Sequence, residues 1–200
     1  AELGCSVTAV TISSEQQAFV MRRVKEAGID DRVDVLLADF REIVGTFDRV
    51  VSIEMIESID EASWTPLFDV IARSLRPGGV AALQAITIEH DLHREMIGRD
   101  EFIRSYIFPG GALPSTRLMR TLGEEAGLEW LGMTTHGPSY AMTLAEWDYR
   151  FVSAWPWIAG GSTRFDERFY RMWRYYLAYC QAGFRTGRLD GVQAAYRRPA

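Results

Sequence analysis

Two continuous apolar runs stand out along the chain, Val50–Ile53 and Leu83–Ile88. The first lacks the polar alternation of a half-exposed strand, which predicts a strand buried on both faces. Glu54 and Glu57 follow it directly. Ligands of open parallel sheets bind beyond the carboxyl ends of the strands, so both acids lie where such a site would form. A solvated loop is the alternative for either acid.

The first half of the chain alternates between strand and helix patterns. Ser13 and Ser14 each precede a glutamine by three residues, which is capping-box spacing, and Gly28 is a suitable helix stop. An Arg-Pro-Gly-Gly turn precedes a predicted strand, Val80–Ile88. The other predicted elements are strands at 5–10, 33–37 and 47–53 and a helix at 64–75. This order predicts an α/β doubly wound sheet.

The second half is patterned differently. Residues 102–114 are rich in aromatics, glycine and proline, and predict a loop or short lid. The last predicted helix carries apolar residues at helical spacing, which favours a core-facing stripe over a ligand site. We find no internal repeat, so a single domain over residues 1–200 is expected. The predicted elements here are helices at 116–126, 143–158 and 165–184 and strands at 128–133 and 192–196.

Charge is unevenly distributed in this chain, whose formal net charge is -5. Residues 161–200 carry eight arginines against three acids, and Arg168, Arg171 and Arg174 recur at helical spacing. A basic segment on an acidic protein suits an anionic partner, either lipid head groups or nucleic acid. A solvated helix face is the alternative.

Composition also bears on location. No apolar stretch reaches the length of a membrane span, and the N-terminus lacks the basic and apolar regions of a signal peptide. Cys5 and Cys180 are too few and too distant to suggest a disulfide framework or a metal cluster, and burial is expected for both. A cytoplasmic protein without a metal site is the prediction.

Six blocks of the sequence resemble the cyclopropane-fatty-acyl-phospholipid synthase family, in family order over nearly the whole chain. Two are specific to it: FIRSYIFPGGALPS (Phe102–Ser115), and RMWRYYLAYCQAGF within Phe165–Gly187. The resemblance implies a Rossmann-like class I methyltransferase fold with helical insertions, and S-adenosylmethionine as cofactor. The other four blocks are GCSVTAVTISSEQ (Gly4–Gln16), VVSIEMIE (Val50–Glu57), LRPGGVAALQAITI (Leu75–Ile88) and SYAMTLAEW (Ser139–Trp147).

The resemblance assigns four residues to the cofactor. Thr11 and Gln16 match positions on its ribose and methionine side, and Asp39 and Phe40 match the pair that holds the adenine. A carboxylate can accept a hydrogen bond from the adenine amino group, and an aromatic face can stack on the ring. The alternatives are a helix N-cap for Asp39 and a core-edge aromatic for Phe40.

A second set of residues matches positions that hold a bicarbonate ion. Glu57 would anchor the ion, Ile86 would offer its backbone N–H, and Tyr140 would offer its hydroxyl. Many family members carry histidine where this chain has Gln84, another contact of the ion. A glutamine amide donates a hydrogen bond, but it carries no charge and relays no proton.

The resemblance implies methyl(ene) transfer to the cis double bond of a phospholipid acyl chain, which gives a cyclopropane. The double bond attacks the sulfonium methyl, and the carbocation then loses a proton to bicarbonate as the ring closes. Aromatic faces can stabilise such a cation, and Tyr106, Phe108 and Tyr140 are candidates. For the first two, ordinary packing is the alternative. The implied partner is a phospholipid membrane surface, bound peripherally, with no nucleic acid and with a homodimer left open.

With glutamine at position 84, other reaction products are possible. If deprotonation fails, the cation could be reduced or eliminate, which would give a methyl-branched or methylene chain. Relatives of the family also methylate small amines. A non-catalytic fragment that binds a membrane or a partner without turnover is the alternative from another functional class.

The family places a strand and a glycine-rich turn of the GCGWGG type before the position of Ala1. The turn wraps the methionine moiety of the cofactor, and the strand lies centrally in the sheet, between the strands at 5–10 and 47–53. Neither is present in this sequence. The expectation is therefore an N-terminally truncated methyltransferase domain, the C-terminal portion of a synthase, that lacks the first strand.

Overall fold

The computed structural model describes residues 4–96, 102–161 and 165–200. Within these ranges the strands are β1 (Val7–Thr11), β2 (Val33–Leu37), β3 (Phe47–Ile53), β4 (Leu75–Ile88), β5 (Glu129–Thr135) and β6 (Leu189–Arg197). The α-helices are α1 (Ser14–Glu26), α2 (Trp64–Ser74), α3 (His90–Met96), α4 (Phe102–Tyr106), α5 (Thr116–Glu125), α6 (Gly137–Gly161) and α7 (Glu167–Arg185). Short 3₁₀ helices lie at Phe40–Glu42, Ile56–Ser58 and Glu61–Ser63.

The described strands form two sheets. β1 pairs in parallel with β2, and the second sheet has the order β3-β4-β6-β5. β3 is parallel to β4, whereas β6 is antiparallel to both of its neighbours. Each parallel pair is connected through a helix, α1 or α2, as parallel pairing requires. The predicted α/β class is confirmed.

Side-chain caps decide where three helices begin. Ser13, Ser115 and Asp166 each accept the backbone N–H three residues on, at 3.2, 3.2 and 2.8 Å. Each cap satisfies a donor that the first helical turn leaves unpaired. The predicted helix start at Ser13 is confirmed.

The main core lies between one face of the four-stranded sheet and helices α2 and α5. The rings of Phe68 and Tyr196 meet edge to face at its centre, with centroids 5.5 Å apart. Tyr196 is fully buried, and its hydroxyl donates to the carbonyl of Met119 at 3.1 Å. Gly123 makes room for this ring, because a Cβ there would lie 2.7 Å from Cδ1 of Tyr196.

The opposite face of β3 is uncovered. Val50 packs against the main core, but Val51 and Ile53 point the other way and are 65% and 60% exposed. The prediction that this run is buried on both faces is therefore wrong for one of them. An apolar run indicates burial without showing that a layer of structure covers each face.

β1 and β3 are both sheet edges among the described residues, since β1 pairs only with β2, and β3 only with β4. The chain exposes 12752 Å² of surface. A folded monomer of 22.7 kDa exposes about 9,500 Å². Unpaired edges and an uncovered sheet face contribute to this excess.

Helices α6 and α7 pack together on the far side of the sheet. Leu177, Cys180 and Phe184 of α7 are buried there, which confirms the later part of the predicted apolar stripe, whereas Phe165 at its start is exposed. Cys5, in contrast, is exposed, contrary to prediction. Across the described ranges, no helix combines the length and apolarity needed to cross a membrane.

Four segments differ from the predicted pattern. The predicted Arg-Pro-Gly-Gly turn at residues 76–79 is part of β4, which begins at Leu75. α3 was not predicted, α4 lies within the expected loop, and α6 begins at Gly137 rather than near 143. The early start of α6 has a physical cause that the local sequence does not show. Asp190, on β6, accepts the N–H of Gly137 at 2.7 Å and so caps the helix from another element.

Candidate active site

Glu57 lies in the 3₁₀ helix that follows β3, and two hydrogen bonds fix this segment. The indole of Trp64 donates from Nε1 to the carbonyl of Ile56 at 3.1 Å. The N–H of Ala112 donates to the carbonyl of Glu57 at 3.2 Å, which ties the end of the predicted lid to the same position. Gly111 permits this approach, because a Cβ there would collide with the Glu57 carbonyl oxygen.

The Glu57 carboxyl is largely withdrawn from water. Its Oε1 accepts the backbone N–H of Ile86, and its buried Oε2 has no hydrogen-bond partner among the described residues. Burial raises the pKa of Glu57 to about 7; the Ile86 N–H opposes this rise and the charge of Glu54 adds to it. A largely buried carboxyl whose pKa is raised in this way is a candidate for proton transfer or charge stabilisation.

Glu54 is the centre of a second polar group. Its Oε1 accepts from the hydroxyl of Tyr140 and, at 3.0 Å, from Nε2 of Gln84. Gln84 Nε2 also lies 3.0 Å from the Tyr140 hydroxyl, and Gln193 donates to Oε1 of Gln84 at 2.9 Å. Sheet register explains the convergence, since Gln84 pairs with Ile53 on β3 and with Gln193 on β6.

Two features of β6 position Tyr140. Asp190 Oδ1 accepts the N–H groups of His136 and Gly137, so α6 begins one turn before the tyrosine. Gly191 lies under the tyrosine ring, and a Cβ there would be 2.8 Å from both Cδ2 and Cζ. Burial and the hydrogen bond to Glu54 raise the pKa of the hydroxyl, which keeps it protonated as a donor.

The structure therefore gathers every residue predicted for the bicarbonate position, namely Glu57, Gln84, Ile86 and Tyr140. The hydrogen-bond donors of these residues are already paired with carboxylate groups of the chain. The Ile86 N–H is directed at Glu57, and the Gln84 amide and Tyr140 hydroxyl are directed at Glu54. Carboxylates of the chain itself thus receive the hydrogen bonds expected for an external anion.

Thr11 and Gln16 lie where β1 ends and α1 begins. Thr11 Oγ1 donates to Gln16 Oε1 at 2.6 Å, and both side chains line an open groove together with Glu15 and Phe19. The groove runs along the β1–β2 pair, where Ala9 and Val35 line it, to the carboxyl end of β1. The carboxyl end of a parallel strand is the usual place for a nucleotide-like ligand in this architecture.

Asp39 and Phe40 follow β2 directly. Because Thr11 pairs with Leu37 in the β1–β2 ladder, the two predicted cofactor pairs lie at the same end of this sheet. Asp39 also caps a 3₁₀ helix by accepting the N–H of Arg41 at 2.9 Å, and Phe40 packs against the main core. Both alternative roles are therefore present, and contacts of the two residues with a cofactor stay predictions.

Tyr106 and Phe108, the two lid aromatics predicted to stabilise the cation, are both exposed. The ring of Phe108 meets Tyr176 edge-on, with centroids 6.2 Å apart, and Tyr176 packs in the same α6–α7 cluster as Tyr140. Tyr106 contacts Phe102 instead, with centroids 5.6 Å apart. Of the two, Phe108 adjoins the group of residues that holds Tyr140.

The family model described as mycolic acid cyclopropane synthetase matches residues 1–194. This chain belongs to that family. The predicted resemblance is confirmed, because the cyclopropane-fatty-acyl-phospholipid synthase of Escherichia coli K12 is a relative, 36% identical over 195 residues. That match covers 96% of this chain and 47% of the relative.

Another relative is the tuberculostearic acid methyltransferase UfaA1 of Mycobacterium tuberculosis. It is 43% identical over 193 residues, which are 95% of this chain and 44% of the relative. The chain thus spans about half the length of the curated relatives it matches.

Solved structures agree with this family and with the class I methyltransferase fold. The mycolic acid cyclopropane synthase CmaA1, complexed with SAH and CTAB, superposes with a TM-score of 0.82 at 28% identity. The cyclopropane synthase MmaA2 from Mycobacterium tuberculosis gives 0.82 at 27% identity. Each superposition covers 96% of this chain and 70% of the other.

Sequence reasoning placed Glu54 at the site, from its position directly after a strand, but assigned it no role. It missed Gln193. Gln193 could be found only through strand pairing, since it lies 109 residues from its partner Gln84.

Proposed function

We propose that this chain forms the catalytic part of an S-adenosylmethionine-dependent methyltransferase that modifies the cis double bond of phospholipid acyl chains, with a cyclopropane as the leading product. Family membership supports the class of reaction. The observation that carries the proposal is the cluster of Glu54, Glu57, Gln84 and Tyr140 beside aromatic side chains. An alkene offers no acidic proton and no charge, so its alkylation needs anionic groups near the carbocation and aromatic surfaces around it.

S-adenosylmethionine, when bound, supplies an electrophilic methyl group. Thr11 and Gln16 would hold it from the end of β1, and Asp39 and Phe40 from the end of β2, since all four lie at one end of the β1–β2 pair. Phe108, Tyr140 and their aromatic neighbours would orient the acyl chain and keep water from the cation.

Bicarbonate was the predicted proton acceptor, and the hydrogen bonds of the site do not fit it. Each donor predicted for the ion is directed at a glutamate oxygen, and an added anion would lie beside two carboxyl groups. The proposed reaction therefore has no step through bicarbonate.

Two alternatives draw on specific observations. The relative UfaA1 is named for tuberculostearic acid, which favours a methyl-branched lipid product. Paired acids, Glu54 and Glu57, would suit a small amine. The amine alternative is weaker, because Tyr140 and Gln84 already donate hydrogen bonds to Glu54 Oε1.

The proposal is tested by giving the full-length protein methyl-labelled S-adenosylmethionine with vesicles of unsaturated phosphatidylglycerol, or with small amines. We expect label in the acyl chains and none in the amines. Ozone cleaves a methylene product but not a ring, and a methyl-branched chain is heavier than either by two hydrogens, so mass spectrometry separates the products. A lack of label in any lipid would overturn the proposal and favour a non-catalytic protein.

A first prediction concerns the cofactor. Asp39→Ala should weaken S-adenosylmethionine binding by the full-length protein about ten-fold, because the adenine amino group would lose its acceptor. Isothermal titration measures the dissociation constant.

The control separates this effect from loss of a helix cap. Asp60 caps the 3₁₀ helix Glu61–Ser63 through the N–H of Ser63, at 3.0 Å, much as Asp39 caps its own. Asp60→Ala should therefore lower stability to a similar degree but leave the dissociation constant unchanged. Equal affinity losses in the two variants would remove Asp39 from the cofactor site.

We further propose that an anionic phospholipid surface is the partner and that α7 contacts it. Of the three arginines predicted for this role, Arg174 already donates two hydrogen bonds to Asp148, at 2.9 and 3.1 Å. Arg171 lies 4.0 Å from Glu167 and is 75% exposed, and Arg168 is also exposed. Arg168 and Arg171 therefore remain the candidates.

Reversal of both residues, Arg168→Glu with Arg171→Glu, should weaken binding to anionic vesicles at least about ten-fold at low salt, since each basic residue contributes about 1 kcal/mol. Vesicle sedimentation measures this. The matched control reverses Arg22 and Arg23 of α1, and neutral vesicles control for charge. Equal binding by wild type and both variants would identify α7 as a solvated face.

A further inference from the structure

We propose that Glu54 is the catalytic base of this protein and takes the place of a bound bicarbonate ion. The inference rests on the proposed function, because it assigns the proton acceptor for the same reaction. Nothing in the sequence resemblance gives Glu54 a role.

Two hydrogen-bond donors converge on Glu54. The Tyr140 hydroxyl and the Gln84 amide, both expected to hold bicarbonate, are directed at Glu54 Oε1 instead. A carboxylate presents the same planar, charge-sharing O–C–O group as bicarbonate. Glu54 thus offers the site the chemistry of the ion, attached to the chain.

A hydrogen bond from Gln193 fixes the orientation of the Gln84 amide. Gln193 Nε2 donates to Gln84 Oε1 at 2.9 Å, which turns the Gln84 NH₂ group toward Glu54 and Tyr140. A glutamine amide cannot take up a proton near neutral pH, so Gln84 supports the acceptor without competing for the proton. A histidine at this position could itself be protonated.

The backbone conformation of Glu54 also supports this role. Its φ of 51° lies in the left-handed region, and it is the one non-glycine residue with positive φ in the described ranges. Side chains other than asparagine, aspartate and histidine are uncommon there. Such an outlier, held between β3 and the Glu57 segment, is typical of a residue whose placement serves function.

The proton transfer balances without a further reactant. The alkene π pair forms the bond to the methyl carbon, the carbon–sulfur bond breaks with its electrons on sulfur, and the neighbouring alkene carbon becomes cationic. Glu54 Oε2, which accepts no hydrogen bond from the described residues, then takes a proton from the transferred methyl carbon. The freed C–H pair closes the cyclopropane. A methylene group forms instead if the hydrogen on the methyl-bearing carbon first migrates with its electron pair to the cationic carbon, since the freed pair then closes a double bond to the new cationic centre. Glu54 is exposed and returns the proton to solvent.

The test combines loss with chemical rescue in the full-length protein. Glu54→Gln should lower turnover at least about 100-fold, as expected for loss of a general base, with the dissociation constant of S-adenosylmethionine unchanged. Glu54→Gly suits the backbone at φ 51° and frees both donors for an external anion. Added bicarbonate should therefore restore turnover to Glu54→Gly, but should not stimulate the wild type. Glu89→Gln, which changes an exposed acid after β4, is the control and should retain full activity.

The outcomes separate the two hypotheses. Wild-type turnover that needs added bicarbonate, or a Glu54→Gln variant within about three-fold of wild type, would overturn the role of Glu54 while leaving methyl transfer intact. Failure of bicarbonate to rescue a folded Glu54→Gly variant would likewise overturn it. A wild type that transfers no methyl group to any lipid would overturn the proposed function, and this inference with it.

Discussion

We expect Glu57→Gln to lower turnover about 100-fold or more, while the dissociation constant for S-adenosylmethionine changes by less than about two-fold. The substitution keeps the shape of the side chain and its acceptor for the Ile86 N–H, but it removes the negative charge. In a site of low dielectric, that charge stabilises a carbocation far more than it stabilises a neutral alkene. Single-turnover kinetics and isothermal titration measure the two quantities.

The same substitution should raise stability, and the sign follows from the pKa. Folding raises the pKa of Glu57 from 4.5 to about 7 through burial, so the folded state favours the protonated form. The contribution of Glu57 to the free energy of unfolding is complete below its pKa in the unfolded state. This contribution is lost as the pH rises through 7. At pH 8, Glu57→Gln should therefore be more stable than wild type by up to about 3 kcal/mol.

Urea unfolding of the full-length protein at two pH values checks this sign. Most of the difference between variant and wild type should vanish near pH 5, where folded Glu57 is already neutral. Turnover of the wild type should rise through a pKa near 7, and Glu57→Gln should lack that rise. A stability difference that is equal at both pH values would show that burial of the charge is not its cause.

Local signals were sufficient for most of the secondary structure. Ser13 caps α1 and Asp166 caps α7 through contacts within three residues, which spacing alone can reveal. The start of α6 could not be found this way. Its cap is Asp190, more than fifty residues further along the chain, so only the pairing of β6 with β4 shows where that helix begins.

The candidate site likewise contains residues that the local sequence could reveal and residues that it could not. Glu54 and Glu57 follow an apolar strand, and this position was enough to place both at the site, whereas the role of Glu57 came from the family resemblance. The network of Glu54 was not predictable, because it depends on the register of three strands and on the seating of Tyr140. The exposure of Val51 also escaped prediction, since a buried face requires a neighbouring layer as well as an apolar side chain.

The last prediction concerns Gly191, which no motif singles out. Gly191→Ala should lower turnover about 100-fold, because the new methyl group would occupy the space of the Tyr140 ring. The displaced ring would lose its hydrogen bonds to Glu54 and Gln84. Overpacking should also cost about 1–3 kcal/mol of stability. Turnover and urea unfolding of the full-length protein measure both effects.

A double substitution shows whether Gly191 acts through Tyr140. Tyr140→Ala removes the ring, so adding Gly191→Ala should then change neither turnover nor stability appreciably, a strong departure from additivity. Gly160→Ala, where a Cβ meets nothing within 4 Å, is the matched control and should be neutral or slightly stabilising. If Gly191→Ala lowers turnover equally with and without the tyrosine, then the glycine serves the β4–β6 pairing and not the seating of Tyr140.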